Sequence, residues 1–278
     1  MSTRQASIAL LFGMVTSACA AAGEEDLVGT EELAVESCDV RYHSMDADLV
    51  AESLLLVTVP AANVESYVPA PFQLLRLPAV AGGQDAAVLW MLAGDITSIV
   101  MDGVEGGHVH AGHIWVQIQE PAAPAGFSNS LGAAHLYELE FLVDNNAVGN
   151  WFASTLGGSA FTSHQMEMTR VAPRLLSPGV LTLDVDGNPH FGRYSYYVEH
   201  GALLPGPAPV VHGWLHGDEG LVRWDPVMSG SLTPALDGEV CTDDLSALRD
   251  IFGTRCRKGT GFMTSIHVDS TYNVWPCL

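Results

Sequence analysis

The chain has 278 residues, 11 basic against 32 acidic, and a formal net charge of −21 at pH 7. Such a surface repels phosphate backbones and anionic headgroups, which argues against a nucleic-acid partner. Apolar residues make up 48% and charged residues 15%, ample for a real core in one large domain or two small ones.

At the N-terminus, Arg4 precedes an apolar run, Ala6–Val15, and then Thr16-Ser17-Ala18-Cys19. The run is too short to span a bilayer and has the form of an export signal. Small residues before a cysteine resemble a bacterial lipobox, although Thr16 stands where leucine is usual. On this reading residues 1–18 are a signal peptide and Cys19 carries the lipid anchor, giving an envelope lipoprotein. Cleavage after an Ala-x-Ala site within Ala18–Ala22 would instead release a soluble periplasmic or secreted protein. Residues 19–37, small and acidic, read as a flexible tether. Residues 38–278 then form the folded domain. An even set of cysteines in an exported chain reads as two disulfides. Cys241 and Cys256 flank one helical segment and are the first expected pair, leaving Cys38 and Cys277 to tie the ends.

Within the domain, Leu54–Val59 is an apolar strand, and Asn63–Val68 a helical turn or two closed by Pro69 and Pro71. Strands follow at Ala86–Ala93 and Val109–Gln119, separated by a turn at Asp102–Gly107, and Pro121–Gly132 is a loop. From His135 to Val143 the residues alternate. His135, Tyr137, Leu139, Phe141 and Val143 share one face, and Glu138 and Glu140 project from the other. Asp144-Asn145-Asn146 supplies cap chemistry for a helix carrying the stripe Val148, Trp151, Phe152, Thr155 and Leu156, which Gly157-Gly158 stops. Further strands are expected at Thr162–Val171, Val180–Val185 and Arg193–Val198, with a hairpin turn at Asp186-Gly187-Asn188. Leu203–Pro209 is a loop. Thr242-Asp243-Asp244 caps a helix with the stripe Leu245, Leu248 and Phe252, ended by Gly253, and Phe262–Val268 is the last strand. Many strands against three or four short helices give a β-rich α+β class.

The strand ending in Val143-Asp144-Asn145, its helix and the following glycine resemble the centre of the acetoacetate decarboxylase-like superfamily. Leu54–Leu74 is similar to that family's early strand, Val-Pro, short helix and following entry segment. The resemblance spans Leu54–Tyr197. It implies a β-barrel or sandwich with a few short helices and an internal cavity. In the family a Schiff-base lysine follows the glycine after this helix by two or three residues. Here those places hold Ser159, Ala160 and Phe161, and the chain's one lysine is Lys258. The family carboxylate near Ala111–Gly112 is also missing. Neither serine nor alanine forms an imine, so Schiff-base decarboxylation is not implied.

Two constellations carry possible chemistry. In Gly106–His113, His108 and His110 share a strand face with Ile114, Val116 and Ile118, and a bulge at Gly112 would bring His113 round to them. The three imidazoles, with Glu105 nearby, are candidate catalytic groups and candidate ligands for zinc, and equally ordinary hydrogen-bonding residues. In Val210–His216, His212, Trp214 and His216 share a face and, with Tyr137, are candidate ligand contacts or packing residues. The leading expectation is an exported lipoprotein whose domain binds a small apolar or carboxylate-bearing molecule. The alternative is a lyase, hydratase or cyclase of the same fold acting through histidine, with or without metal.

Overall fold

The computed structural model describes residues 39–78, 83–124, 126–157, 161–163, 165–171, 179–186, 191–201, 208–218 and 220–276. The proposed signal peptide, tether, Cys19, Cys38, Cys277, Ser159, Ala160 and most of the Leu203–Pro209 loop lie outside these residues, as do Gly187 and Asn188 of the expected hairpin turn.

Seven strands form a ring. In order around it they are β10 (Val211–Gly217), β5 (Ala134–Val143), β4 (Val109–Ile118), β2 (Ala86–Met101), β1 (Arg41–Pro60), β12 (Cys256–Trp275) and β11 (Gly220–Thr242). Antiparallel pairing of β10 with β11, and parallel pairing of β10 with β5, close the barrel. A two-residue strand β3 (Val104–Glu105) extends β2, and β6 (Phe161–Ser163) pairs with β5. The far half of β11 leaves the ring and continues into a second sheet, β9 (Tyr194–His200), β8 (Gly179–Asp186) and β7 (Gln165–Val171). There the burial of β8 and β9 alternates, as in a sheet with one face on a core and one in water.

Three layers follow from the strand pleat. Inward side chains fill the barrel. Outward ones, including Leu55, Val57, Leu89, Met91, Ile114 and Val116, pack under Leu181, Leu183, Tyr194 and Tyr196 of the second sheet. Ser53 ties the two together, with its hydroxyl 2.9 Å from that of Tyr196 and 3.2 Å from His200 Nε2. The barrel's strands are therefore buried on both faces. This corrects the expectation for Glu138 and Glu140, which are 8% and 1% exposed.

Helix α1 (Ala61–Val64) and the 3-10 turn Glu65–Tyr67 follow β1, close to the expected turn. Helix α2 (Asn146–Leu156) begins as its sequence dictates. The Asn145 side chain accepts from the backbone amides of Ala147 and Val148, and Gly157 ends the helix at φ 58°. Its Val148, Phe152 and Leu156 plug one end of the barrel against Ile99, Met101, Phe141, Leu215 and Val274. Helix α3 (Ala247–Phe252) is capped by Ser246 rather than Thr242-Asp243-Asp244, and Leu245 is exposed instead of joining the stripe. Cys241 and Cys256 stand opposite one another in the β11–β12 pairing and form a disulfide around α3.

Candidate functional site

All seven barrel strands contribute to a cavity of about 70 Å³, room for about five waters or a small organic molecule of similar size. Its walls are apolar: Leu54, Trp90, Leu92, Trp115, Leu136 and Phe262 are among them. Glu52 and His113 supply the polar groups together with the Trp115 and Trp224 indoles, and no lysine or arginine is among the described lining residues.

Glu52 reaches the interior through a break in register. The β1 pairings with both neighbours shift between Asp48 and Glu52, so the inward series Met45 and Ala47 resumes at Glu52 and Leu54. Glu52 lines the cavity, and burial pushes its carboxyl up to about 8. At neutral pH it is a protonated acid, an O–H donor in an apolar wall.

A second register break, at Leu139 between Ile114 and Trp115 of the facing strand, turns Glu138 inward beside Phe141. His113 Nδ1 lies 3.3 and 3.2 Å from Glu138 Oε1 and Oε2, and the Trp115 indole N–H donates to Oε2. Burial raises the Glu138 carboxyl well above the usual range, against the opposing pull of the Trp115 hydrogen bond. Burial also drives His113 down to about 3. The pair is therefore neutral: the Glu138 O–H donates to Nδ1, which places the imidazole proton on Nε2. His113 lies near-parallel to Trp115 and Phe141 at 4.3 and 4.1 Å, and Trp224 continues the row. The Trp224 indole nitrogen is buried with no hydrogen-bond partner among the described residues. It lies flat because its cross-strand neighbour is Gly213, where a Cβ would sit 2.7 Å from the ring.

The three expected imidazoles divide between the two faces of β4. Pairing with β2 runs unbroken from Val109 to Val116, so no bulge at Gly112 brings His113 round. His113 points into the barrel. His110 points outward beside its cross-strand neighbour Asp95, and His108 joins them from the preceding turn, 2.7 Å from Asp95 Oδ1. Glu105, on β3, is exposed.

His212, Trp214 and His216 do share a face, the outer one, and neither they nor Tyr137 line the cavity. Tyr137 and Trp214 pack on Phe72 with ring centroids 5.2 and 5.8 Å apart, and His216 meets the same ring at 5.6 Å. His212 belongs to a buried ionic network missed by the sequence reading. Its Nδ1 is 2.6 Å from Asp225 Oδ1, which also accepts from Arg223 Nε at 2.7 Å. Arg223 reaches on to Asn129 Oδ1 and the Ser128 carbonyl, pinning the 121–133 loop to the outer wall. Spacing alone gave no signal for this, because an Arg-x-Asp pair on a strand is ordinary surface pattern. Lys258, also on the outside, is 72% exposed and 3.5 Å from Asp237.

No protein-family model and no curated protein matches the chain. Among solved structures, acetoacetate decarboxylase from Legionella pneumophila superposes with a TM-score of 0.50 at 8% identity, over 91% of this chain and 95% of that one. An acetoacetate decarboxylase-like enzyme from Sphingomonas wittichii RW1 gives 0.49 at 10%, over 85% and 92%. The enduracididine biosynthesis enzyme MppR, complexed with the condensation product of pyruvate and imidazole 4-carboxaldehyde, gives 0.49 at 13%, over 90% and 95%. The Legionella likeness carries the fold alone: this is an acetoacetate decarboxylase-like β-rich barrel with a few short helices.

Proposed function

We propose that the barrel binds a small, uncharged, predominantly apolar molecule bearing a hydrogen-bond-accepting oxygen. One observation carries the reading: a cavity walled by apolar side chains whose polar groups include a protonated Glu52 and the neutral His113 imidazole, with no cation among its described residues. A ligand carbonyl or ether satisfies such donors. A carboxylate entering the same space would lose its hydration without gaining a counter-charge. The ligand class is thus narrower than the apolar or carboxylate-bearing molecule suggested by the sequence. Schiff-base chemistry has no support, because the chain's one lysine is at the surface.

Trp90, Trp115 and Trp224 all line the cavity, so intrinsic fluorescence reports occupancy. Titration with neutral ketones of four to seven heavy atoms, such as butanone and cyclopentanone, is expected to give saturable quenching at pH 7. Butyrate gives none, and Ala111→Leu, which fills the cavity, abolishes the ketone response. A series with no saturable ketone, or with quenching unchanged in Ala111→Leu, sinks the proposal.

A second reading, an acid–base enzyme, is favoured by Glu52 and neutral His113 on the same cavity. The ionised form of Glu52, which grows as the pH approaches 8, would take an α-proton from a bound ketone while the neutral His113 Nε2–H donates to its carbonyl oxygen. Deuterium incorporation into the ketone in D₂O, lost in Glu52→Gln, distinguishes it from binding alone. For the address, we propose export and acylation at Cys19. Palmitate labelling that survives Cys19→Ser argues against it.

A further inference from the structure

We propose that Asp95, His108 and His110 form a binding site for a divalent transition-metal ion of the zinc class on the outer wall of the barrel, apart from the ligand cavity. Asp95 projects outward because its neighbours Gly94 and Ile96 line the interior. One donor atom from each of the three residues lies within 4.8 Å of the others. His108 Nε2 and His110 Nε2 are 2.7 and 3.8 Å from Asp95 Oδ1. Donors around a tetrahedral zinc are about 3.3 Å apart, so both Asp95 contacts lie about half an ångström from that spacing, and side-chain torsions would draw the two imidazole nitrogens together from within 4.8 Å. Two imidazoles and one carboxylate suit a borderline ion, and with three protein ligands a further position is open to water. His108, whose side chain is 53% exposed, leaves that position on the solvent side.

The surroundings orient His110 for ligation. Asp144 Oδ2 is 2.7 Å from His110 Nδ1, which puts the imidazole proton there and leaves the Nε2 lone pair facing Asp95. This carboxylate–histidine arrangement is what orients metal-bound imidazoles. Asp144 Oδ1 accepts the His110 backbone amide at 2.8 Å, fixing the acid itself. Asn145 Nδ2 donates to the Gly106 carbonyl at 3.0 Å, bracing the turn that delivers His108. An ordinary surface ion pair does not require an acid behind the histidine that directs its free nitrogen to the same point.

The test uses untagged protein, stripped with chelator and dialysed against Zn²⁺, with bound metal measured by mass spectrometry and affinity by calorimetry. One equivalent is expected, lost in His110→Ala and in His108→Ala, the more exposed position and the milder test of folding. Asp144→Asn, a positioning variant, is expected to weaken binding by about 10- to 100-fold while Co²⁺ still gives the visible bands of a low-coordinate site. His267→Ala removes the rival cluster of Asp46, His267 and Asp269 and should leave one equivalent. The proposal is overturned if the wild type retains no ion, if His108→Ala retains it at unchanged affinity, or if His267→Ala abolishes it.

Discussion

Glu52 concentrates the tension of the site in one side chain. Its unfolded-state carboxyl ionises near 4.5, whereas the folded one holds its proton to about 8. The folded state therefore forgoes an ionisation that the unfolded chain enjoys. Stability is fully present below pH 4.5 and is lost progressively as the pH rises towards 8. At roughly 1.36 kcal/mol per pH unit, the displacement from 4.5 to about 8 sets an upper limit of about 5 kcal/mol, reduced by any water in the cavity. Glu52→Gln should thus match the wild type near pH 4.5 and exceed it by several kcal/mol at pH 8, by urea denaturation. Equal stabilities at pH 8 would mean that Glu52 is ionised or hydrated, and the neutral-ligand reading would go with it. Nothing in the sequence singled this residue out. Among 32 acidic residues an acid in an alternating strand reads as the solvent face, and only the register break after Asp48 turns it inward. Glu138 was misread for the same reason, since a bulge at Leu139 exchanges the two faces halfway along an otherwise regular alternation.

Elements whose local signals agree were legible, and those depending on distant partners were not. Helix α2 has its cap, apolar stripe and terminal glycine within thirteen residues, so Asn145 and Gly157 take the roles their chemistry suggests. The 23-residue β11 gave no strand signal because Gly220, Pro226, Gly230, Pro234 and Gly238 interrupt it. It is a strand through pairing with β10, β12 and β9 rather than through propensity. The cysteines that close its distal half were legible because they bracket α3. Their separation of 15 residues implies about 3 kcal/mol from restricting the unfolded chain. The double variant Cys241→Ser/Cys256→Ser should lower stability by about 2–3 kcal/mol in non-reducing buffer and abolish the loss of stability on adding reductant. At the barrel's centre, Gly213→Ala should push the Trp224 ring from the β10 backbone, shrink the cavity and shift Trp fluorescence. An unchanged emission spectrum and unchanged ketone affinity would show that Trp224 does not depend on this glycine.

The whole molecule balances two sets of buried titrating groups against each other. Burial lowers His113 to about 3 and both His135 and His200 to about 4, so folding sheds three imidazole protons that the unfolded chain holds below about pH 6.5. Glu52 and Glu138 retain two carboxyl protons that the unfolded chain has lost above 4.5. Between pH 4.5 and 6.5 the unfolded state therefore carries about one proton more, and stability rises with pH by about 1.4 kcal/mol per unit. Below 4.5 the carboxyl difference vanishes and the three histidines make the slope steeper. Above 6.5 the histidine difference vanishes, the carboxyl difference remains, and the sign reverses. Stability should peak near pH 6.5 and decline towards pH 8, where repulsion within a chain of formal charge −21 acts in the same direction. Salt separates the two causes of the alkaline decline. At 1 M the Debye length is about 3 Å, which removes long-range repulsion but leaves the desolvation of Glu52 and Glu138. Thermal melts at pH 5, 6.5 and 8 should therefore keep their maximum in 1 M NaCl. If the decline above pH 6.5 disappeared in salt, surface charge would be its cause. If stability climbed steadily to pH 8 at either ionic strength, the interior acids would not be neutral.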